Sequence, residues 1–313
     1  TTSERSTPRG VYVQSFTETM SMQGTATGGP YEFALLFTVP HTFWTVTGTR
    51  VEETPAGDHS LHLMATVWDP ETGTVLPETG LSAEILRDGG TVSQEVIYPM
   101  LSQPMGFHYG GNFTLPEDGT YTTKLRVGGT SIARRGAFEG AFGSPATVDI
   151  PLEFTEATRS EVTTRPVEQG GDPGALAPMD TAFPRAIAPK RDDLPGEVLG
   201  EATSGGAVFA LTQVDTGSAD ESYFAASART PYNRLLVPAM SLELTATRDG
   251  RTLYDGPLAR TLDPDLQYHY GATTPTLRSG DELVLSVPTP PQVARHEGYE
   301  EAFVEMPEMR VTL

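Results

Sequence analysis

The two halves of this 313-residue sequence are related by a constant offset of 161 positions. Phe-His-Tyr-Gly at 107–110 aligns with Tyr-His-Tyr-Gly at 268–271, and Arg-Asp-Gly at 87–89 recurs at 248–250. Because the offset holds from residue 70 to residue 142, and the unit is too long for a solenoid repeat, it predicts a tandem duplication of one domain. Residues 1–45 have no counterpart and are expected to add strands to the first copy only.

Short runs rich in Val, Thr, Tyr and Phe alternate with turn signals supplied by 32 Gly and 26 Pro. No segment of helical length shows a 3.6-residue period with caps. The pattern is typical of an all-β chain of two immunoglobulin-like β-sandwich domains. The expected strands are Val11–Phe16, Phe33–Val39, Phe43–Val51, Leu61–Trp68, Ser93–Tyr98, Thr120–Val127, Val148–Phe154, Val208–Val214, Leu242–Ala246, Glu282–Val287 and Arg310–Leu313.

A Pro- and Gly-rich stretch separates the two halves. Residues 1–155 are predicted to form the N-terminal sandwich and residues 200–313 a degenerate repeat of it. Residues 156–199 show little apolar alternation, so they are expected to form a linker or a strap along a surface.

Charge and composition exclude several classes of function. The net charge of −20 repels nucleic acid and anionic membrane surfaces. Only Lys124 and Lys190 are lysine, and an acid-rich, lysine-poor chain favours a halophilic source over an ordinary acidic secreted protein. The absence of cysteine excludes disulfides and thiolate metal sites.

Histidine and methionine recur together in two places. Alternation along Leu61–Trp68 puts His62 and Met64 on the outer face of a strand, and Trp68 on that face suggests that something covers it. Met100 and Met105 precede His108 within one loop. Imidazole and thioether together suit copper, especially Cu(I), although the methionines could equally fill gaps in the core.

These residues resemble a known family. His62-Leu63-x-Ala65, Pro99-Met100 and Gly106-x-His108-Tyr109-Gly110-x-Asn112 are similar to motifs of the periplasmic copper-binding iron-uptake proteins ("Fe2+ transport protein") that accompany a high-affinity iron permease. The resemblance covers roughly residues 44–154 and, more weakly, 205–313.

The resemblance implies immunoglobulin-like sandwiches that pair as homodimers, with a metal site near the interface. Carried over, His62, Met100 and His108 are metal ligands, while Met64 replaces the family's strand acid. The spacing from Met100 to His108 is one residue longer than in the family, so Met105 is an alternative ligand.

The family's last ligand is a late histidine, and only the second copy has one. The first copy reads Ala-Arg-Arg135 where the second reads Ala-Arg-His296. Conversely, Tyr223 and Thr261 stand at the positions of His62 and Met100. We therefore expect a fused pseudo-dimer in which His296 completes the first copy's site. The alternative is that His296 is simply an exposed residue near the C-terminus.

The resemblance implies an extracytoplasmic copper-binding protein, with iron as a further metal, that assists uptake through a membrane permease. A lipid anchor upstream is expected with it, and the fused pseudo-dimer predicts a monomeric chain because its pairing face is already used. A cell-surface structural or adhesive protein without metal is the alternative. No hydrolase or phosphate-binding motif occurs, so an enzyme is not expected.

Overall fold

The computed structural model describes residues 10–313, and their regular secondary structure is almost wholly β-strand. The first half contains β1 (Phe16–Glu18), β2 (Ser21–Gly28), β3 (Tyr31–Thr38), β4 (Phe43–Thr47), β5 (Arg50–Thr54), β6 (Leu61–Trp68), β7 (Ser82–Arg87), β8 (Gly90–Ser93), β9 (Tyr98–Ser102), β10 (Gly106–Phe113), β11 (Gly119–Val127), β12 (Ala133–Arg134) and β13 (Ala146–Phe154).

The remaining elements follow in chain order. They are α1 (Glu156–Ser160), β14 (Thr164–Pro166), β15 (Glu197–Ser204), β16 (Ala207–Asp215), β17 (Glu221–Arg229), β18 (Ser241–Arg248), β19 (Arg251–Asp263), β20 (Gln267–Pro275), β21 (Glu282–Thr289), β22 (Ala294–Arg295) and β23 (Met309–Thr312), with 3-10 turns at Gly136–Phe138 and Arg191–Asp193. No helix in the described part of the chain is long and apolar enough to cross a membrane.

Two β-sandwich domains form an intrachain pseudo-dimer. In the first, the sheet β2-β3-β6-β10-β9 faces the sheet β13-β11-β7-β8. In the second, β15-β16-β17-β20-β19 corresponds to the former sheet, and β19-β18-β21-β23 to the latter. Inward-facing aliphatic and aromatic side chains of both sandwiches form the core.

Each sandwich takes a short strand from the other half. Strand β22 pairs in parallel with β9, with Ala294 opposite Met100. Strand β12 pairs in parallel with β19, with Ala133 opposite Thr261. The two pairs are equivalent, because Ala294 is 161 positions after Ala133 and Thr261 is 161 positions after Met100. The exchange is therefore reciprocal, and it brings the segment after β22 to the first sandwich.

The expectation that residues 1–45 add strands to the first half only is wrong for β2 and β3, and residues 1–9 lie outside the described part of the chain. The hairpin β2–β3 corresponds to the hairpin β15–β16, and each has a bulge at a glycine, Gly24 and Gly200. The offset changes because the first half carries additional residues between β3 and β6. Phe37 on β3 pairs with Leu63 on β6, 26 positions later. The equivalent pair in the second half, Gln213 on β16 and Phe224 on β17, is 11 positions apart, so the first half has 15 additional residues here. The hairpin β4–β5 lies in this insertion.

Most predicted strands are observed within two residues of their predicted ends. Leu61–Trp68 matches β6 at both ends. Phe43–Val51 divides into two strands because Thr47–Arg50 forms a tight hairpin turn. Two predictions are wrong: Val11–Phe16 lies almost entirely outside strands, and Ser93–Tyr98 spans the gap between β8 and β9.

The segment 156–199 contains the helix α1, the strand β14, the 3-10 turn Arg191–Asp193 and the first residues of β15, and otherwise runs over the surface of both sandwiches. Within this segment, the Phe183 ring stacks on Trp68, with ring centroids 6.2 Å apart, and so covers and buries Trp68. Met179 donates its backbone N–H to Pro104 in the first sandwich, at 2.9 Å. Ala188 donates to a backbone carbonyl of the second, at 2.8 Å.

Candidate metal centre

Three adjacent strands place histidine and methionine on one sheet face. His108 on β10 is directly opposite Met100 on β9. On the other side of β10, Asn112 is opposite His62 on β6. Partners across antiparallel strands share a face, as do residues two apart on one strand. His62, Met100 and His108 therefore surround Gly110, which lies between His108 and Asn112.

The absence of a side chain at Gly110 creates a concavity that these donor atoms line. A methyl group at Gly110 would lie 2.9 Å from His62 Nε2, 2.9 Å from Met100 Sδ and 3.3 Å from His108 Nε2. Both Nε2 atoms are buried and have no hydrogen-bond partner. A buried hydrogen-bond acceptor without a partner lowers the free energy of unfolding by about 1–3 kcal/mol. The arrangement therefore fits a bound cation, which would accept these lone pairs.

The other nitrogen of each ring fixes its orientation. Asn112 donates its amide N–H to the carbonyl of His41 at 3.1 Å, so its oxygen faces His62 Nδ1 at 2.8 Å. His108 Nδ1 donates to the carbonyl of Gly106 at 3.0 Å. Both rings thus carry their proton on Nδ1 and present an Nε2 lone pair to the concavity, as metal-binding histidines do.

The second half contributes His296 from the segment after β22. Its backbone N–H donates to the carbonyl of Leu101 at 3.1 Å, which continues the pairing of β22 with β9. Its Nε2 lies 3.2 Å from Met100 Sδ, and its ring centroid is 5.3 Å from that of His108. His296 is only 8% exposed, so the expectation that it reaches the first copy's histidines holds and the alternative of a solvated residue is wrong.

A further histidine, His41, lies behind His296. The sequence favours a role for His41 in holding its loop by hydrogen bonding, with copper binding beside Met20 and Met22 as the alternative. Its Nε2 is 2.9 Å from His296 Nδ1, and its Nδ1 is 3.5 Å from a carboxylate oxygen of Glu18. Ring nitrogens of His41, His62 and His296 lie within 4.8 Å of one another and could also hold an ion. His62, Met100, His108 and His296 could likewise hold an ion at the concavity beside Gly110, which we call the inner site.

Burial is the main cause that lowers the pKa of each inner histidine. It lowers the pKa of His108 to about 4, and it lowers the pKa of His62 and of His296 well below the usual 6.5. The proximity of His41 lowers all three further. The three rings are therefore neutral at pH 7, the state in which imidazole binds a metal.

Of the two remaining predicted ligands, Met105 lies away from the concavity, whereas Met64 is directly opposite Gly110 on β6. Met105 is in the turn between β9 and β10 and belongs to the hydrophobic core, while Met100 packs with Phe43 and Ala294 beside the histidines. Geometry thus favours Met100 over Met105. Met64 is buried on the same face as His62 and lines a cavity of about 180 Å³ that adjoins His41 and His296.

The corresponding position in the second half is closed. Tyr223 places its hydroxyl 2.9 Å from His269 Nε2, and a methyl group at Gly271 would lie 2.2 Å from that hydroxyl. The guanidinium of Arg135 covers the Tyr223 ring, 3.5 Å from its centroid, and pairs with Asp263 at 3.7 Å. The tyrosine fills the space that is open at Gly110, and the arginine adds a positive charge that opposes a cation.

The sequence matches the family described as "Domain of unknown function (DUF7350)" over residues 41–151 and 192–312, which is well over half of the chain. The chain belongs to this family. No curated protein matches it.

Several solved structures are similar to part of this DUF7350 chain. A copper-bound variant of FetP from uropathogenic Escherichia coli strain F11 is 18% identical, with a TM-score of 0.35, over 44% of this chain and 98% of that one. "As isolated" FetP of the same strain is 17% identical, with a TM-score of 0.33, over 44% and 97%. Copper-reconstituted P19 from Campylobacter jejuni is 17% identical, with a TM-score of 0.35, over 44% and 97%.

Proposed function

We propose that this chain is an extracytoplasmic copper-binding protein that assists iron uptake, and that it acts as a binding protein and not as an enzyme. The observation that carries the copper assignment is the convergence of two unpartnered Nε2 atoms and a thioether on the concavity at Gly110. His62, His108, Met100 and His296 would hold the ion.

The chemistry of these donors favours Cu(I). Three imidazoles and one thioether are neutral, and thioether is a soft ligand that suits Cu(I). A buried site without a negative charge favours an ion of low charge, since uncompensated charge in the interior is costly. Magnesium and calcium need oxygen ligands, which this position does not offer. When bound, copper would supply a one-electron redox couple.

The roles of the protein groups follow from their hydrogen bonds. Asn112 and the carbonyl of Gly106 orient the rings of His62 and His108. The reciprocal strand exchange brings His296 to the site, so that one chain would bind one copper and act as a monomer. The closed position at Tyr223 would bind none.

Titration of the metal-free protein with Cu(I), in competition with a chromogenic chelator, tests the copper assignment. We expect one tight copper per chain, weakened in His296→Ala and unchanged in the matched control Met105→Leu. One copper that is insensitive to His296→Ala would contradict the shared site. Absence of tight copper would contradict the proposal and favour the structural or adhesive alternative.

The iron-uptake role, the permease partner and an upstream lipid anchor are proposed from the motif resemblance alone. Uptake of radioactive iron by source cells with and without the gene tests the role. We expect reduced uptake in the deletion strain and recovery with the wild-type gene but not with the His108→Ala gene. Equal uptake in all strains would contradict the role and leave the copper assignment to the titration.

A further inference from the structure

We propose that the cavity beside His296 holds a second cation site, distinct from the inner one, with Glu18 and His41 as its ligands. The ligand class is a divalent transition metal that accepts mixed oxygen and nitrogen donors, such as Fe(II), Mn(II), Co(II) or Zn(II). This inference rests on the side chains at the cavity and does not require copper in the inner site.

The first argument is the state of the Glu18 carboxylate. Its side chain is only 7% exposed, and its Oε2 is buried with no hydrogen-bond partner. Within residues 10–313, the imidazole of His41, 3.5 Å away, is the one basic group beside it. A buried carboxylate without a cation is costly, so this environment favours an ion of positive charge.

The second argument is the spacing of Glu18 and His41. His41 Nδ1 is also buried without a hydrogen-bond partner, and it lies 3.5 Å from Glu18 Oε1. That separation is too long for a good hydrogen bond. Two ligand atoms that share one tetrahedral cation, each about 2.1 Å from it, lie about 3.4 Å apart. The two side chains are therefore spaced as ligands of one ion.

The third argument is space and access. Glu18 and His41 both line the cavity of about 180 Å³, which is large enough for an ion with several waters. Gln14, Met20 and Met64 also line it and offer further donor atoms. Glu297 lines it as well, but both of its carboxylate oxygens already accept hydrogen bonds from Ser15.

The hydrogen bond between His41 and His296 links the two sites. One proton lies between His41 Nε2 and His296 Nδ1. If His296 carries it, His296 Nε2 is free to bind the inner metal. If His41 carries it, His41 Nδ1 is free to bind the outer cation, and His296 Nε2 is protonated. Binding both metals at once would place a proton on each of the two facing nitrogens, so each metal should weaken the other.

The test uses Co(II), whose visible absorption reports nitrogen and oxygen ligation, and the full chain. We expect one Co(II) per chain, with affinity at least about tenfold lower in Glu18→Gln. The matched control Glu297→Gln, a change of the same kind at the same cavity, should bind Co(II) like the wild type. Met100→Leu should retain Co(II) within about twofold while losing at least about tenfold in Cu(I) affinity.

The outcomes separate this site from the inner one. Absence of Co(II) binding, equal Co(II) affinity in Glu18→Gln and wild type, or loss of Co(II) in Met100→Leu would each overturn the proposal. Co(II) that depends on Glu18 in a protein without copper binding would support the outer site and contradict only the copper assignment. Finally, Cu(I)-loaded protein should bind Co(II) at least about tenfold more weakly, and unchanged affinity would refute the coupling.

Discussion

A methyl group added at Gly110 is expected to abolish tight copper binding without unfolding the protein. The added carbon would lie 2.9 Å from His62 Nε2 and from Met100 Sδ, and 3.3 Å from His108 Nε2. Metal–ligand bonds to nitrogen and sulfur are about 2.0–2.3 Å long, so the carbon and the ion compete for one space. We expect copper affinity to fall at least about a hundredfold in Gly110→Ala, which corresponds to about 2.7 kcal/mol.

The effect of Gly110→Ala on the free energy of unfolding should be small by comparison. Overpacking costs about 1–3 kcal/mol, whereas replacing glycine by alanine restricts the unfolded chain and returns about 0.4–1 kcal/mol. Cu(I) competition and chemical denaturation of the same samples separate the two quantities. Gly119→Ala is the control, since the atoms nearest to its added carbon belong to the Arg87 side chain, at 3.4 Å. A folded Gly110→Ala protein with wild-type copper affinity would refute the assignment of the concavity.

Three further predictions concern the same region. His296→Ala should weaken copper binding at least about tenfold, measured by Cu(I) competition, because it removes the ligand from the second half. In the metal-free protein, burial lowers the pKa of His108 to about 4. As the pH falls, His108 is therefore protonated in the unfolded state before it is protonated in the folded state. The stability that this ring contributes is complete above pH 6.5 and falls by about 3 kcal/mol as the pH drops to 4, which denaturation at a series of pH values measures. The triple substitution Tyr223→His, Thr261→Met and Arg135→His should raise copper stoichiometry, measured by elemental analysis, from one to two.

Each of these has an outcome that would contradict it. A His296→Ala protein with unchanged affinity would confine the site to the first half. Equal stability at pH 6.5 and pH 4 would mean that the buried rings accept protons without cost. If the triple variant folds and still binds one copper, the closure of the second position has another cause than the three side chains.

The local motifs and the duplication made much of the site predictable. His62, Met100 and His108 lie near one another in sequence or on adjacent strands, so strand alternation and the motif resemblance identified them. His296 was predicted because the offset of 161 places it where Arg135 stands in the first half. The structure brings its ring to within 5.3 Å of His108, between centroids.

Other parts of the arrangement could not be predicted from the sequence. Glu18 and His41 lie in the part of the chain where the offset of 161 breaks down, because the insertion that contains β4–β5 shifts the register by 15 residues. Nothing local indicates that Glu18 faces His41. The choice between Met100 and Met105 also needed the register of β9 with β10, which sets Met100 opposite His108. A one-residue slip would have turned either methionine to the other face.

The reciprocal exchange of β12 and β22 has a consequence for how such a protein can change over time. In a pair of identical chains, any substitution near the shared interface is imposed on both positions at once. In this chain the two positions are encoded separately, so His296 and Arg135 can differ although they occupy equivalent places. The position in the second half is filled by a tyrosine and covered by an arginine. The other keeps its open concavity, and a change that harms one no longer has to harm both.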